Sequence, residues 1–371
     1  MWQNWSALLV RPRIVPSVRI LFATDHIHIP QGAGGGERNT HDLCLALQQL
    51  GDDVAVLCSL RSDGSLFSLT SRVRRKVPRS REFSRDQICG YRVYRGWNTT
   101  AMHEVLGEFR PDIVVVQSTH PDPLIDEVRR FNLPQVIYLH EVEEVIHLRR
   151  LKALGIQVIG NSKFVADRLS TACGLDCDVV YPIVDPAHYR AHKHSKSVLF
   201  VNTVPRKGLD IALAIAAKRP DVPFNFMLSS TMKADALSEL RQQTRTLVNV
   251  RLRRPTQDMR FFYSRTGLLL APSKWEEAWG RVVTEAHLNG IPVLASDRGG
   301  LPESVGPGGI TISPDAPLDK WLGGMQLLWD NPVARSAYAS AAELYSNRSE
   351  IQPSSIVSHF KSILASVLRC Y

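Results

Sequence analysis

Compact apolar runs recur along the chain with helical stretches between them. Arg19 to Thr24 is the first; a glycine-rich loop follows, then Leu43, Ala46, Leu47 and Leu50 on one stripe, then the run Val54 to Cys58. Short apolar runs bounded by turn residues read as strands, and apolar positions three and four apart read as one helical face. The alternation continues through Ile113 to Val116, Gln135 to Tyr138, Val158 to Ile159 and Val179 to Tyr181. Runs that are apolar on both faces suit a parallel sheet covered by helices on each side. Asp185 to Lys196 is polar, holds three histidines and predicts a linker. A second series then begins at Val198 to Val201 and passes through Phe224 to Leu228, Val248 to Leu252, Gly267 to Ala271 and Pro292 to Ala295. The pattern predicts an α/β chain of two doubly wound domains, 1–190 and 191–350. A helix over 351–371 follows, with Ile356, Phe360, Ile363 and Val367 on one face.

A chain of 371 residues with 44% hydrophobic content is long enough for two cores. Residues 1–190 hold 23 Lys+Arg and 21 Asp+Glu, a net of +2, and residues 191–371 hold 22 and 15, a net of +7. The basic excess in the second half suits an anionic ligand such as a nucleotide diphosphate. Six cysteines follow no disulfide or zinc spacing, which predicts a reduced, cytoplasmic setting. No stretch approaches the 18 or so apolar residues of a bilayer span, and Met1 to Ser17 lacks the marks of a signal peptide.

Chemistry concentrates between Glu277 and Glu303. Glu277 and Glu285 have seven residues between them, so on a helix they differ by roughly 80° and can face one crevice. Ionised carboxylates only accept hydrogen bonds, which matches sugar and ribose hydroxyls. Glu277 precedes the helical pattern, where the amides of Ala278, Trp279 and Gly280 can hold anionic groups. An isolated pair at this spacing is usually a solvated helix face; here an apolar strand and the Gly299-Gly300 turn follow it.

This segment resembles the E-x7-E signature of the retaining glycosyltransferases of GT-B fold, the superfamily of glycogen synthases, sucrose synthases and bacterial mannosyltransferases. Further landmarks fall in the same order: Gly34-Gly35-Gly36-Glu37-Arg38, Asn161-Ser162-Lys163-Phe164-Val165, Val180-Tyr181-Pro182 and Lys207-Gly208. The chain departs from the pattern in reading Glu277-Ala278-Trp279-Gly280 for Glu-Gly-Phe-Gly and His140-Glu141 for His-Asp. It also has Asn202 where the family has an arginine.

The resemblance implies two Rossmann-like domains facing a cleft, an acceptor domain first and a nucleotide-sugar domain second, with the last helix crossing back to the first. Glu277, His140 and Lys207 would be catalytic. Glu285, the 278–280 amides and Gly34, Gly35 and Gly36 would bind the donor; from their own positions, Arg206 beside Lys207 is expected to stand in for the arginine replaced by Asn202, and His120, at the end of the Ile113 to Thr119 run, to line the acceptor side. Neither cofactor nor catalytic metal is expected, since the departing diphosphate is neutralised by Lys207 and amides; Asp176-Cys177-Asp178 reads as a turn and not as a metal motif. The glycine loop is a poor dinucleotide fingerprint, because Glu37 stands where its third glycine would fall.

From Arg72 to Arg85 seven basic residues meet one acid, and Leu66, Leu69, Val73 and Val77 share a helical face until Pro78. Arg72, Arg74, Arg75 and Lys76 are expected at an anionic membrane surface, presenting a glycan or lipid-linked acceptor. Without interleaved aromatic residues the run does not predict nucleic-acid binding. The competing functions are a nucleotide-sugar epimerase of the same fold and a silent sugar-nucleotide-binding subunit of a membrane complex.

Overall fold

In the computed structural model the described residues are 17–32, 34–61, 66–76, 82–96, 99–118, 120–141, 148–192, 197–230 and 232–371. They form two compact units, Met1–Ile183 with Gln352–Tyr371, and Val184–Ile351.

The first unit is built on eight strands: β1 (Arg19–Ile27), β2 (Asp53–Ser59), β3 (Ser84–Asp86), β4 (Arg92–Arg95), β5 (Ile113–Gln117), β6 (Gln135–Leu139), β7 (Gln157–Gly160) and β8 (Cys177–Val179). Their spatial order is β3-β4-β2-β1-β5-β6-β7-β8, parallel apart from β3. Leu21, Phe22, Val56, Val115 and Ile137 are fully buried, as the two-sided apolar runs require. The helix Pro353–Arg369 belongs to this unit: Phe360 stacks on Phe22 at 6.0 Å between ring centroids, and Lys361 bonds Asp52 at 2.7 Å.

The second unit carries β9 (Ser197–Val201), β10 (Phe224–Met227), β11 (Val250–Arg253), β12 (Thr266–Ala271), β13 (Val293–Ser296) and β14 (Gly309–Ile312). The order is β11-β10-β9-β12-β13-β14, wholly parallel. One core cluster joins Leu199, Leu269 and Val293 to Val283, Ala286 and Leu301; another joins Phe200, Phe224 and Leu294 to Ile211, Trp321 and Leu328.

The boundary expected after residue 190 lies instead between Ile183 and Val184. Tyr189 is the reason. Its ring is buried in the second unit's core, its hydroxyl accepts from Arg281 at 3.2 Å and its carbonyl from Asn289 at 3.0 Å, so 184–190 is built into that unit. Of the expected linker, 193–196 lie outside the described residues. Cys177 and Asp178 belong to β8 rather than to a turn, and Gln157 Nε2 donates to Asp178 at 2.8 Å.

Candidate functional site

Both sheets reverse their strand order beside their first strand, at β1/β5 and at β9/β12. In open α/β sheets ligands bind at such switch points, outside the carboxyl ends of the strands. The residues singled out from the sequence lie after β9 and β12 in the second unit, and after β1, β5 and β6 in the first.

In the second unit, Arg206 and Lys207 form a tight turn, Pro205–Lys207, closed by Gly208. Gly208 has φ +79°, and a side chain there would overlap the Pro272 carbonyl, so only glycine lets this turn sit on the chain leaving β12. The Arg206 carbonyl accepts from the amides of Lys274 and Trp275 at 3.0 and 3.2 Å, and the Arg206 guanidinium lies 4.9 Å from the Trp275 ring centre. Ser273 is held in turn by Ser296, whose hydroxyl donates to its carbonyl at 2.6 Å. These contacts bring together two residues 70 positions apart: Lys207 Nζ and Glu277 Oε1 form a half-buried ion pair.

Glu277 is fixed from the other side by the turn after β13. The Gly300 amide donates to the Glu277 carbonyl at 2.6 Å, and Gly299, at φ +62°, packs where a side chain would strike Glu277 backbone. Helix Arg281–His287 then begins at Gly280, φ +90°. Ala278 and Trp279 are buried. The Trp279 indole donates to Thr284 at 2.9 Å, so this residue offers a ligand its backbone, not its ring.

Glu285 is only 6% exposed and sits inside the protein. Its carboxylate accepts from the Tyr263 hydroxyl at 2.7 Å and from Arg281 Nε at 3.1 Å. Burial raises the Tyr263 pKa well above its ordinary value, keeping it a donor. Arg281 stands four residues before Glu285, a spacing that pairs charges on one helix face, whereas Tyr263, 22 positions away, is not legible from spacing. Asn202 is a further addition: it adopts φ +69° directly after β9, and its buried Oδ1 has no hydrogen-bond partner among the described residues. Few residues other than glycine adopt this conformation and asparagine does so most readily; Arg110 and Asn132 share it elsewhere in the chain.

In the first unit, Gly34 caps helix Gly35–Gln49, and Gly36 backs onto His140, to which an added Cβ would stand at 3.9 Å. Gln117 Nε2 lies 2.9 Å from His140 Nε2, and Thr40 donates to Gln117 at 2.9 Å. His140 is half-buried, and desolvation first, then His26, lowers its pKa to about 3, so the ring is neutral at physiological pH. Ser118 donates to Asp25 Oδ2 at 2.8 Å, while Asp25 Oδ1, 3.6 Å from His26 Nε2, is buried with no hydrogen-bond partner among the described residues. His120 is exposed beside this group, its amide 3.0 Å from Ser118 Oγ. The backbone of Arg72, Arg74, Arg75 and Lys76 belongs to helix Leu66–Lys76; their side chains lie outside what is described, as do residues 77–81.

Two parallel-sheet α/β units whose candidate residues gather at the strand-order switches define a GT-B architecture. Sucrose-phosphate synthase from Thermosynechococcus elongatus superposes with a TM-score of 0.78 at 14% identity, covering 95% of this chain and 100% of that one. Anabaena HepE, solved with UDP-glucose, gives 0.72 at 20% identity, covering 94% and 100%. Models of Glycosyltransferase Family 4 and of glycosyl transferases group 1 match residues 33–188 and 185–343. The chain belongs to the group 1 glycosyltransferase superfamily. A D-inositol 3-phosphate glycosyltransferase of Corynebacterium kroppenstedtii is 28% identical over 170 residues, 42% of this chain and 37% of the relative, so the match spans less than half of that protein.

Proposed function

We propose that this chain transfers a sugar from a nucleotide diphosphate donor to an acceptor hydroxyl, with retention of anomeric configuration and without a metal at the diphosphate. The Lys207–Glu277 pair at the β9/β12 switch carries this reading. An ammonium held at that point neutralises charge on the leaving diphosphate, and a carboxylate beside it fixes a sugar hydroxyl. Arg206 adds a second cation, and Glu285, already oriented by Tyr263 and Arg281, accepts from ribose. His140, held neutral, hydrogen-bonds sugar hydroxyls as donor or acceptor. HepE with bound UDP-glucose supports a nucleotide-sugar donor, and the inositol phosphate relative supports a polyol or glycan acceptor.

A panel of labelled nucleotide sugars and acceptors tests the proposal. Lys207→Ala and Glu277→Ala should each lower transfer by on the order of 10²–10³ with thermal melting retained. Full activity in both variants overturns it. A product formed without acceptor would indicate epimerisation instead, and nucleotide-sugar binding without any product a silent subunit.

We also propose that helix Leu66–Lys76 rests on an anionic membrane surface, bringing a lipid-linked acceptor to the first unit. Leu69 and Val73, one helical turn apart, are 49% and 61% exposed. Among the described residues no helix is long and apolar enough to cross a membrane. Replacing both by Ser should abolish co-sedimentation with anionic vesicles; unchanged co-sedimentation removes this part of the proposal.

A further inference from the structure

Three segments of the first unit converge on a buried cluster that the transfer chemistry does not use. His28 follows β1, His41 lies on helix Gly35–Gln49, and Cys89 and Tyr91 lie between β3 and β4. The donor atoms of His28, His41 and Cys89 lie within 4.8 Å of one another, and all three residues are buried. The Tyr91 hydroxyl sits between the imidazoles, 2.7 Å from His28 Nε2 and 2.9 Å from His41 Nδ1.

Hydrogen bonding alone does not satisfy this group. A phenol has one hydrogen, so Tyr91 donates to one ring and accepts from the other. In either arrangement His28 Nδ1 remains buried with no hydrogen-bond partner among the described residues. Buried polar atoms are normally paired, and although the Cys89 thiol donates to the Ile29 carbonyl at 3.3 Å, the orphaned ring nitrogen needs an explanation.

We propose that His28, His41 and Cys89 form a structural site for a borderline-soft divalent cation, zinc above all, with the Tyr91 oxygen as fourth donor. Imidazole and thiolate are the ligand types that select zinc, and a site closed by four protein donors is structural rather than catalytic. A tetrahedral zinc needs donors about 3.3–3.6 Å apart, so the His28, His41 and Cys89 side chains must draw in by roughly an ångström while the Tyr91 oxygen, now 2.7 and 2.9 Å from the imidazoles, backs away from them. On binding, the Cys89 S–H bond breaks, the sulfur–metal bond forms and one proton leaves to solvent. The nearest fixed cation, Arg95, is fully buried but matched by Asp86 at 2.7 Å. The ion would tie the chain after β1 to the first helix and to the β3–β4 connection.

The test uses tag-free full-length protein, stripped with chelator and titrated with cobalt(II). The expected result is about one cobalt per chain, a tetrahedral d–d spectrum and a thiolate-to-cobalt charge-transfer band, all displaced by zinc. Zinc should also raise the melting temperature, and chelator should reverse the rise. Cys89→Ser should abolish the charge-transfer band, and His41→Gln should weaken cobalt binding on the order of 100-fold with the band retained. Failure of the unsubstituted protein to take up stoichiometric cobalt overturns the proposal, as does a band that survives Cys89→Ser. The titration of unsubstituted protein decides the matter even where a variant does not fold.

Discussion

The two units share one sheet topology around their switch points and differ in what they put there. At the β9/β12 switch stand an ion pair and an exposed arginine, Lys207–Glu277 and Arg206. Around the β1/β5 switch, the His140–Gln117–Thr40 chain is neutral, Gly36 presents no side chain toward His140, and the nearby Asp25 carboxylate is bonded to Ser118. The units as wholes carry nearly equal net charges, +4 for 1–183 with 352–371 and +5 for 184–351, so the difference is local to the two switch points. Under the transfer proposed above, one fold would serve a diphosphate at one site and uncharged hydroxyls at the other by changing a few residues after corresponding strands.

The contrast is sharpest at the glycines. Gly208 is required by the fold, since its φ is +79° and a side chain would overlap Pro272. Gly208→Val should destabilise the second unit by more than about 3 kcal/mol in urea unfolding and remove transfer; a variant of ordinary stability would break the account of this turn.

Acid provides the next test. Burial, then the charge of Arg348, lowers the pKa of His287 to about 3, against 6.5 for an ordinary histidine. The unfolded chain thus takes up a proton that the folded chain refuses, so the His287 contribution is full above pH 6.5 and falls as pH drops toward 3. At about 1.4 kcal/mol per pH unit, moving from pH 6.5 to 5 should cost the second unit about 2 kcal/mol. His287→Gln should flatten that slope; an unchanged slope shows that other groups set it.

The smallest effect is expected at Gly36. An added Cβ there makes only an ordinary contact with His140, and the residue is helical. Gly36→Ala should leave stability unchanged or raise it by less than about 1 kcal/mol. Lost transfer in this stable variant would show that the first unit keeps its glycine for a ligand, unlike Gly208.

Uninterrupted valine and isoleucine runs made most central strands legible, because a two-sided buried strand has no polar positions to obscure it. β4 was missed since it reads Arg-Val-Tyr-Arg, and Arg95 is tolerated in the interior only because Asp86 neutralises it. β14 was missed because its four residues are only half-covered. The Lys207–Glu277 pairing, like the Tyr263 bond to Glu285, depends on residues too far apart in sequence for any helical spacing to reveal. The cluster of His28, His41 and Cys89 has no ligand spacing at all, so counting cysteines could not expose it.

The bond from Lys361 to Asp52 spans 309 residues and has a consequence for biosynthesis. At about 5–20 residues per second, a ribosome adds the partner roughly 15–60 s after Asp52 itself. The continuous Val184–Ile351 lobe is fully translated first, whereas the earlier-made lobe waits for the final helix to cover Phe22. Through that interval the nascent amino-terminal sheet carries an uncovered aromatic face, a natural target for a chaperone.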